Sequence, residues 1–156
     1  MSVEQNKETV WRLFEIVRSH DLSALEEVCD ESIVYRNNEE GELQGLDAYR
    51  KMLREDIEAF PDLDPELQEM IGEGDRVSSV HIARGTHEGD YVGIAPTGRR
   101  MELVVSDHFT LRGGKVIEHR EFNDVLTMLR QLGAASDELR PGGRDWPRRG
   151  TRLRPQ

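Results

Sequence analysis

Gly74-Asp75-Arg76-Val77, Arg84-Gly85-Thr86-His87-Glu88-Gly89, Gly93-Ile94-Ala95-Pro96-Thr97-Gly98-Arg99 and Gly114-Lys115-Val116-Ile117-Glu118-His119 follow one another inside residues 72–133, and that order decides the fold. Gly74-Asp75 and Arg112-Gly113-Gly114 are hairpin turn signals between runs rich in β-branched residues. They predict strands over residues 66–73, 76–88, 99–111 and 115–123, with residues 89–98 as a loop kinked at Pro96. Residues 125–132 read as a short terminal helix closed by Gly133. Polar and ionisable side chains recur among the apolar ones along these strands. That is the pattern of a small curved sheet around a wet pocket.

Upstream the period becomes helical. Val3, Val10, Leu13, Phe14, Ile16 and Val17 give residues 3–19 a broad apolar face. Asp21 is placed to cap a second helix over 22–29, which would bury Leu22, Leu25, Val28 and Cys29. Residues 32–36 form a short β-type run, and 37–45 read as a polar, Gly-bounded loop. A third helix follows from Leu46, with Tyr49, Leu53, Ile57 and Phe60 on one side, and Pro61 stops it. Helices first and strands after indicate an α+β domain. The expected shape is a cone-shaped α+β barrel, a curved antiparallel or mixed sheet with three N-terminal helices enclosing a pocket.

The chain has 156 residues, which bounds it to one domain, read as a cone over residues 1–135 and a basic Pro/Gly/Arg-rich tail over 136–156. Its net charge is -10, unevenly spread. Six arginines against Asp145 give residues 140–156 a charge of +5, so residues 1–139 carry -15. An acidic body argues against nucleic-acid binding. The single Cys29 excludes an internal disulfide and reads as a buried structural thiol. Without a basic-plus-apolar leader or a membrane-length apolar run, the sequence reads as cytoplasmic.

Several residue types could do chemistry here. His119 and Asp107 sit on the two arms of the Arg112–Gly114 hairpin, where pairing brings them close. Such a pair either orients a base or fixes strand register. His108 faces away from Asp107 because strand side chains alternate, and the sequence leaves open which of the two lines a cavity. Asp124, between Phe122 and Val125, is either a carboxyl with a lifted pKa or the cap of the last helix. His81, amid Val80 and Ile82, is a half-buried residue or a donor to a substrate oxygen; His87 would shape the pocket mouth. Tyr35 and Asn37 close the first strand as candidate substrate contacts, and Trp11, Phe14 and Tyr49 lie on helix faces as core or ligand platform. The histidines lack compact metal-site spacing, and no carboxylate completes a set, so no metal is expected.

Together with Phe60-Pro61-Asp62, Asp107-His108-Phe109, Asp124 and Leu129-Arg130-Gln131-Leu132-Gly133, the opening motifs make the chain resemble the SnoaL-like polyketide cyclases, of the nuclear transport factor 2-like group, over roughly residues 3–135. The resemblance implies a homodimer, often through the outer sheet face, a small hydrophobic substrate, and no metal or organic cofactor. It implies aldol-type ring closure with a pocket aspartate as general acid and base, a position that matches Asp124; beside it, His119, Asp107 and His81 are this reading's own candidates for polarising or orienting groups. Relatives on the same fold also include isomerases, dehydratases, epoxide hydrolases, accessory hydroxylases and binding modules. One departure stands out: where many members carry tryptophan after the Glu-His pair, this chain has Arg120, a cation able to block or recruit an anionic substrate group.

Overall fold

The computed structural model describes residues 1–38 and 41–136. The proposed basic tail therefore lies, from residue 137 on, outside the described residues. Helix α1, Val3–Ser19, opens on a capping box: Ser2 Oγ accepts from the Gln5 backbone N–H, and Gln5 Oε1 accepts from the Ser2 N–H. It buries Val10, Leu13, Phe14 and Ile16 and ends at His20 in the left-handed region. A single 3-10 segment, Leu22–Glu27, then leads into strand β1, Cys29–Asn37.

Strand β2 is Gly41–Gln44 and helix α2 is Leu46–Ala59. Four long strands follow: β3 (Asp64–Glu73), β4 (Arg76–Thr86), β5 (Arg100–Arg112) and β6 (Lys115–Phe122). Helix α3, Val125–Gln131, closes the described chain. The six strands form one open, mixed, curved sheet in the order β2-β1-β6-β5-β4-β3. Only β1 against β6 is parallel. The β5–β6 turn holds Gly113 and Gly114 at φ 57 and 79, the positive values that a two-residue hairpin of this hand requires.

Three local expectations are corrected. The second helix is a short 3-10 segment, because Val28 and Cys29 pair with β6 instead: the Val116 N–H donates to the Val28 carbonyl, and Cys29 aligns with Val116. Cys29 is buried as expected, but in a strand, where burial pushes its thiol up to about 12. Residues 37–45 are not only loop, since β2 pairs there with β1. Helical and extended segments are also interleaved: β1 and β2 precede α2, so the helices do not all come first.

Strand alternation places the core. On β5, Met101, Leu103, Val105, Asp107, Phe109 and Leu111 face inward, while Glu102, Val104 and His108 face outward. On β4, Val77, Ser79, His81 and Ala83 share the inner face. Helices α1 and α2 cover one end of that face with Leu13, Phe14, Tyr49 and Leu53. At the other end Phe60, Met101, Leu103, Met128 and Leu132 form a second apolar cluster. Between them the sheet and the helices diverge.

Candidate active site

The space between the two clusters is a cavity of about 130 Å³, room of the order needed by one substituted six-membered ring. Phe14, Tyr49, Leu53, Phe60, Tyr91 and Val105 give it apolar and aromatic walls. Its polar floor consists of His81, Asp107, His119, Glu121 and Asn123, with Asp56 from α2.

Sheet register builds this floor. Ser79 on β4, Asp107 on β5 and Glu121 on β6 lie in one cross-strand row. His119 belongs to the neighbouring row, opposite Phe109, and His81 to the row on the other side, opposite Val105. Asp107 is therefore central, with one histidine diagonal to it from each flanking strand. His81 Nδ1 is 2.7 Å from one carboxylate oxygen, which also accepts from Ser79 Oγ at 3.2 Å. His119 Nε2 is 3.0 Å from the other oxygen. The Tyr49 hydroxyl reaches the remaining nitrogen of His119, Nδ1, at 2.9 Å. Phe109 stacks on His119 at 4.4 Å between centroids, and Phe14 sets its edge against His81 at 5.1 Å.

The two carboxyls of the floor, Asp107 buried and Glu121 half-buried, are pushed in opposite directions. Burial works to raise Asp107, but hydrogen bonds from His119 and His81, and their charge, outweigh it and hold this carboxyl below the ordinary carboxylate range. Glu121 has no such partners. Burial and the adjacent Asp107 charge raise its pKa, against smaller opposing effects of His119, His81 and an Asn123 hydrogen bond. Potential ligand atoms of Asp107, His119 and Glu121 lie within 4.8 Å of one another, so a second anion beside Asp107 is disfavoured on distance alone. The site thus holds one fixed carboxylate and one carboxyl inclined to keep its proton. Burial, first, and the charge of Glu121 also raise Tyr35; burial raises Tyr49, so both hydroxyls keep their protons.

The same three side chains are the group best arranged to hold a cation. Both oxygens of Asp107 and both nitrogens of His119 are already hydrogen-bonded, however. A metal would have to break those bonds, and the arrangement fits a proton network better than an ion cage.

The expected site residues divide sharply. His119, Asp107, His81, Phe14 and Tyr49 meet at the cavity, and Asp107 rather than His108 faces inward. His108 lies on the outer face with Ser78 at 2.8 Å. Tyr35 is buried behind the lining, its hydroxyl against Asn37 and Glu121, so it and Asn37 support the wall rather than form it. Trp11 is 51% exposed on α1, away from the cavity. Arg120 points outward and pairs with Glu118 at 3.2 Å. His87 is fully buried outside the lining and bonds Thr97, tying down the loop after β4.

Asp124 is the main correction. It is exposed and lies outside the lining; one oxygen accepts from the Thr127 N–H at 3.0 Å and the other from the Thr127 hydroxyl at 2.6 Å. It caps α3, as its place before Val125 allows. The carboxyl that the sequence reading missed is Glu121. Its signal was its spacing, two residues past His119 on the same strand and so on the same face.

An open α+β cone around an aromatic cavity with a buried His-Asp-His floor defines a class of small pocket proteins. A family model of SnoaL-like polyketide cyclases matches residues 7–132, and the chain belongs to that family. Among solved structures it is similar to AclR from Streptomyces galilaeus, a proposed hydroxylase, at 27% identity over 87% of this chain and 89% of that one, with a TM-score of 0.77. A SnoaL-like proposed polyketide cyclase from Jannaschia sp. CCS1 is 26% identical over 85% and 94%, with a TM-score of 0.79. IdmH, a proposed polyketide cyclase from Streptomyces antibioticus, is 29% identical over 83% and 99%, with a TM-score of 0.72. No curated protein matches this sequence. Among the described residues no helix is long and apolar enough to cross a membrane.

Proposed function

We propose that this chain is a cofactor-independent acid/base enzyme that closes a ring on a hydrophobic, carbonyl-bearing small molecule by aldol-type chemistry. The observation that carries the reading is the geometry of the floor: Asp107 is bonded by His81 at 2.7 Å and His119 at 3.0 Å, with Glu121 beside it in the same apolar cavity and raised in pKa by burial and by the Asp107 charge. An aldol closure must remove a proton alpha to one carbonyl and deliver one to the alkoxide formed at the other. A carboxyl whose pKa is raised suits the delivery step better than one held as an anion, so the acid role expected of Asp124 passes to Glu121. Among the described residues no lysine or arginine lines the cavity. Developing negative charge is then met by proton donors rather than by a permanent cation.

The working form is a homodimer joined through the outer sheet face, where Val104 and Phe122 are exposed on adjacent strands. Turnover of a panel of aromatic poly-ketones, followed by mass spectrometry, tests the function. Ring closure by aldol addition gives an isomer of unchanged mass, and Glu121→Gln should abolish it. The similarity to AclR favours one second reading, hydroxylation, in which the product gains an oxygen atom. Equal turnover by the wild type and Glu121→Gln would refute the acid assignment.

A further inference from the structure

Hydrogen-bond accounting across the floor of the cavity separates the two histidines. Asp107 is a carboxylate, which can only accept. His81 must therefore donate from Nδ1 and His119 from Nε2. The Tyr49 hydroxyl, which keeps its proton, donates to His119 Nδ1. His119 thus has both nitrogens occupied and no lone pair for a substrate. His81 differs: its Nε2 has no hydrogen-bond partner, yet it is not among the buried polar atoms sealed away without one. His81 is 8% exposed and lines the cavity, so that remaining exposure is to the substrate space.

We propose that His81 is the base of this enzyme, presenting an Nε2 lone pair to the substrate, while Asp107, His119 and Tyr49 are positioning residues that fix its tautomer. The assignment rests on the acid/base reading above and adds the group that starts the reaction. The substrate C–H bond alpha to a carbonyl breaks and its proton binds His81 Nε2. The electron pair passes into the enolate, whose carbon attacks the second carbonyl, and the resulting alkoxide takes the proton of Glu121. Return of the His81 proton to the Glu121 carboxylate restores both groups. Asp107 stays ionised throughout and stabilises the imidazolium formed in the first step. The groups facing His81 are Asp107 and Ser79 on the sheet and Phe14 from α1, with Glu121 beside Asp107 on β6 and Asp56 of α2 lining the same cavity.

Two measurements on the full chain test this. In long-range proton–nitrogen NMR with ¹⁵N-histidine at neutral pH, with His81→Gln supplying the assignment, His81 should show a protonated Nδ1 and a bare Nε2. Asp107→Asn should shift it toward the Nε2–H tautomer and also slow the exchange reaction below with His81 still in place, and a merely structural role for the pair would leave that exchange unchanged. A wild-type His81 carrying its proton on Nε2 overturns the proposal. In the second measurement, deuterium exchange at the alpha carbon of cyclohexanone, a single-ring ketone of the size the cavity holds, should be catalysed by the wild type and fall about a hundredfold in His81→Gln, the scale of a general base. Exchange that survives His81→Gln also overturns it. Absence of exchange in the wild type, with a bare Nε2 on His81, refutes instead the acid/base function and leaves the orientation of the ring standing.

Discussion

Replacing Asp107 by asparagine removes one charge from the centre of the cavity floor and tests the network as a unit. The carboxylate is 1% exposed and accepts from His81, His119 and Ser79. Asparagine keeps one acceptor oxygen but turns an amide NH2 toward donors that the second oxygen used to satisfy. Each charge-assisted hydrogen bond contributes about 1.5–3 kcal/mol net, and breaking a buried ionic network from one side costs about 3–5 kcal/mol. For a domain of this size that loss corresponds to a Tm lower by about 10–20 °C at pH 7.

The pH dependence fixes the sign independently. Asp107 is depressed in the folded state, so its stabilisation is fully present above the unfolded value, about 3.9, and is lost as pH falls toward the folded one. The wild-type advantage should therefore be complete at neutral pH and shrink below about pH 4. Scanning calorimetry of both proteins across that range measures it. A variant melting within about 2 °C of the wild type at pH 7, less than 1 kcal/mol is worth, or a gap that persists unchanged in acid, would refute the reasoning.

Further outcomes follow from the same geometry. Glu121→Gln should melt above the wild type at pH 8: a raised carboxyl stabilises fully below its unfolded pKa and loses that contribution as pH rises through its folded one, so the gap should close toward pH 4. Asp124→Ala should cost about 0.5–2 kcal/mol of stability, the worth of an N-cap, and leave turnover intact; loss of turnover in a folded protein would return Asp124 to the chemistry. Gly89→Ala should destabilise strongly in chemical denaturation, because its Cβ would overlap the Glu58 carbonyl oxygen where the Gly89 N–H bonds the end of α2; an unchanged midpoint would contradict that packing. Val104→Glu with Phe122→Glu should convert a dimer to a monomer in sedimentation, and a monomeric wild type would refute the proposed interface.

The sheet was legible because its turns are chemically explicit. Gly113-Gly114 can hardly be anything but a tight hairpin, and alternation along β5 marks one apolar face. What the sequence concealed was register. Counting back from the Arg112–Lys115 pair sets Asp107 opposite Arg120 and His108 opposite His119. An irregularity between Thr110 and Leu111 moves the pairing by one, bringing Asp107 opposite Glu121 and within reach of His119. The extra residue is Ile117 on β6; it reverses which β6 side chains face the cavity, and nothing in Ile117 announces it. The edge strand β2 was hidden for another reason: exposed Glu42 and Gln44 are the polar residues a sheet edge tolerates, and they read as loop. Glu121 was lost among many acidic residues, whereas Asp124 drew attention from its apolar neighbours and its match to the family pattern. Apolar neighbours in sequence did not mean apolar surroundings in space.

The titration of the Glu121 side-chain carboxyl, followed by carbon-13 NMR with Glu121→Gln for assignment, bears most directly on the whole account. The account predicts a single carboxyl titrating clearly above the ordinary glutamate value of about 4.3, its midpoint falling toward that value when Asp107→Asn removes the neighbouring anion. A Glu121 signal that titrates at or below the ordinary value would leave the cavity with no proton to deliver and would contradict the mechanism.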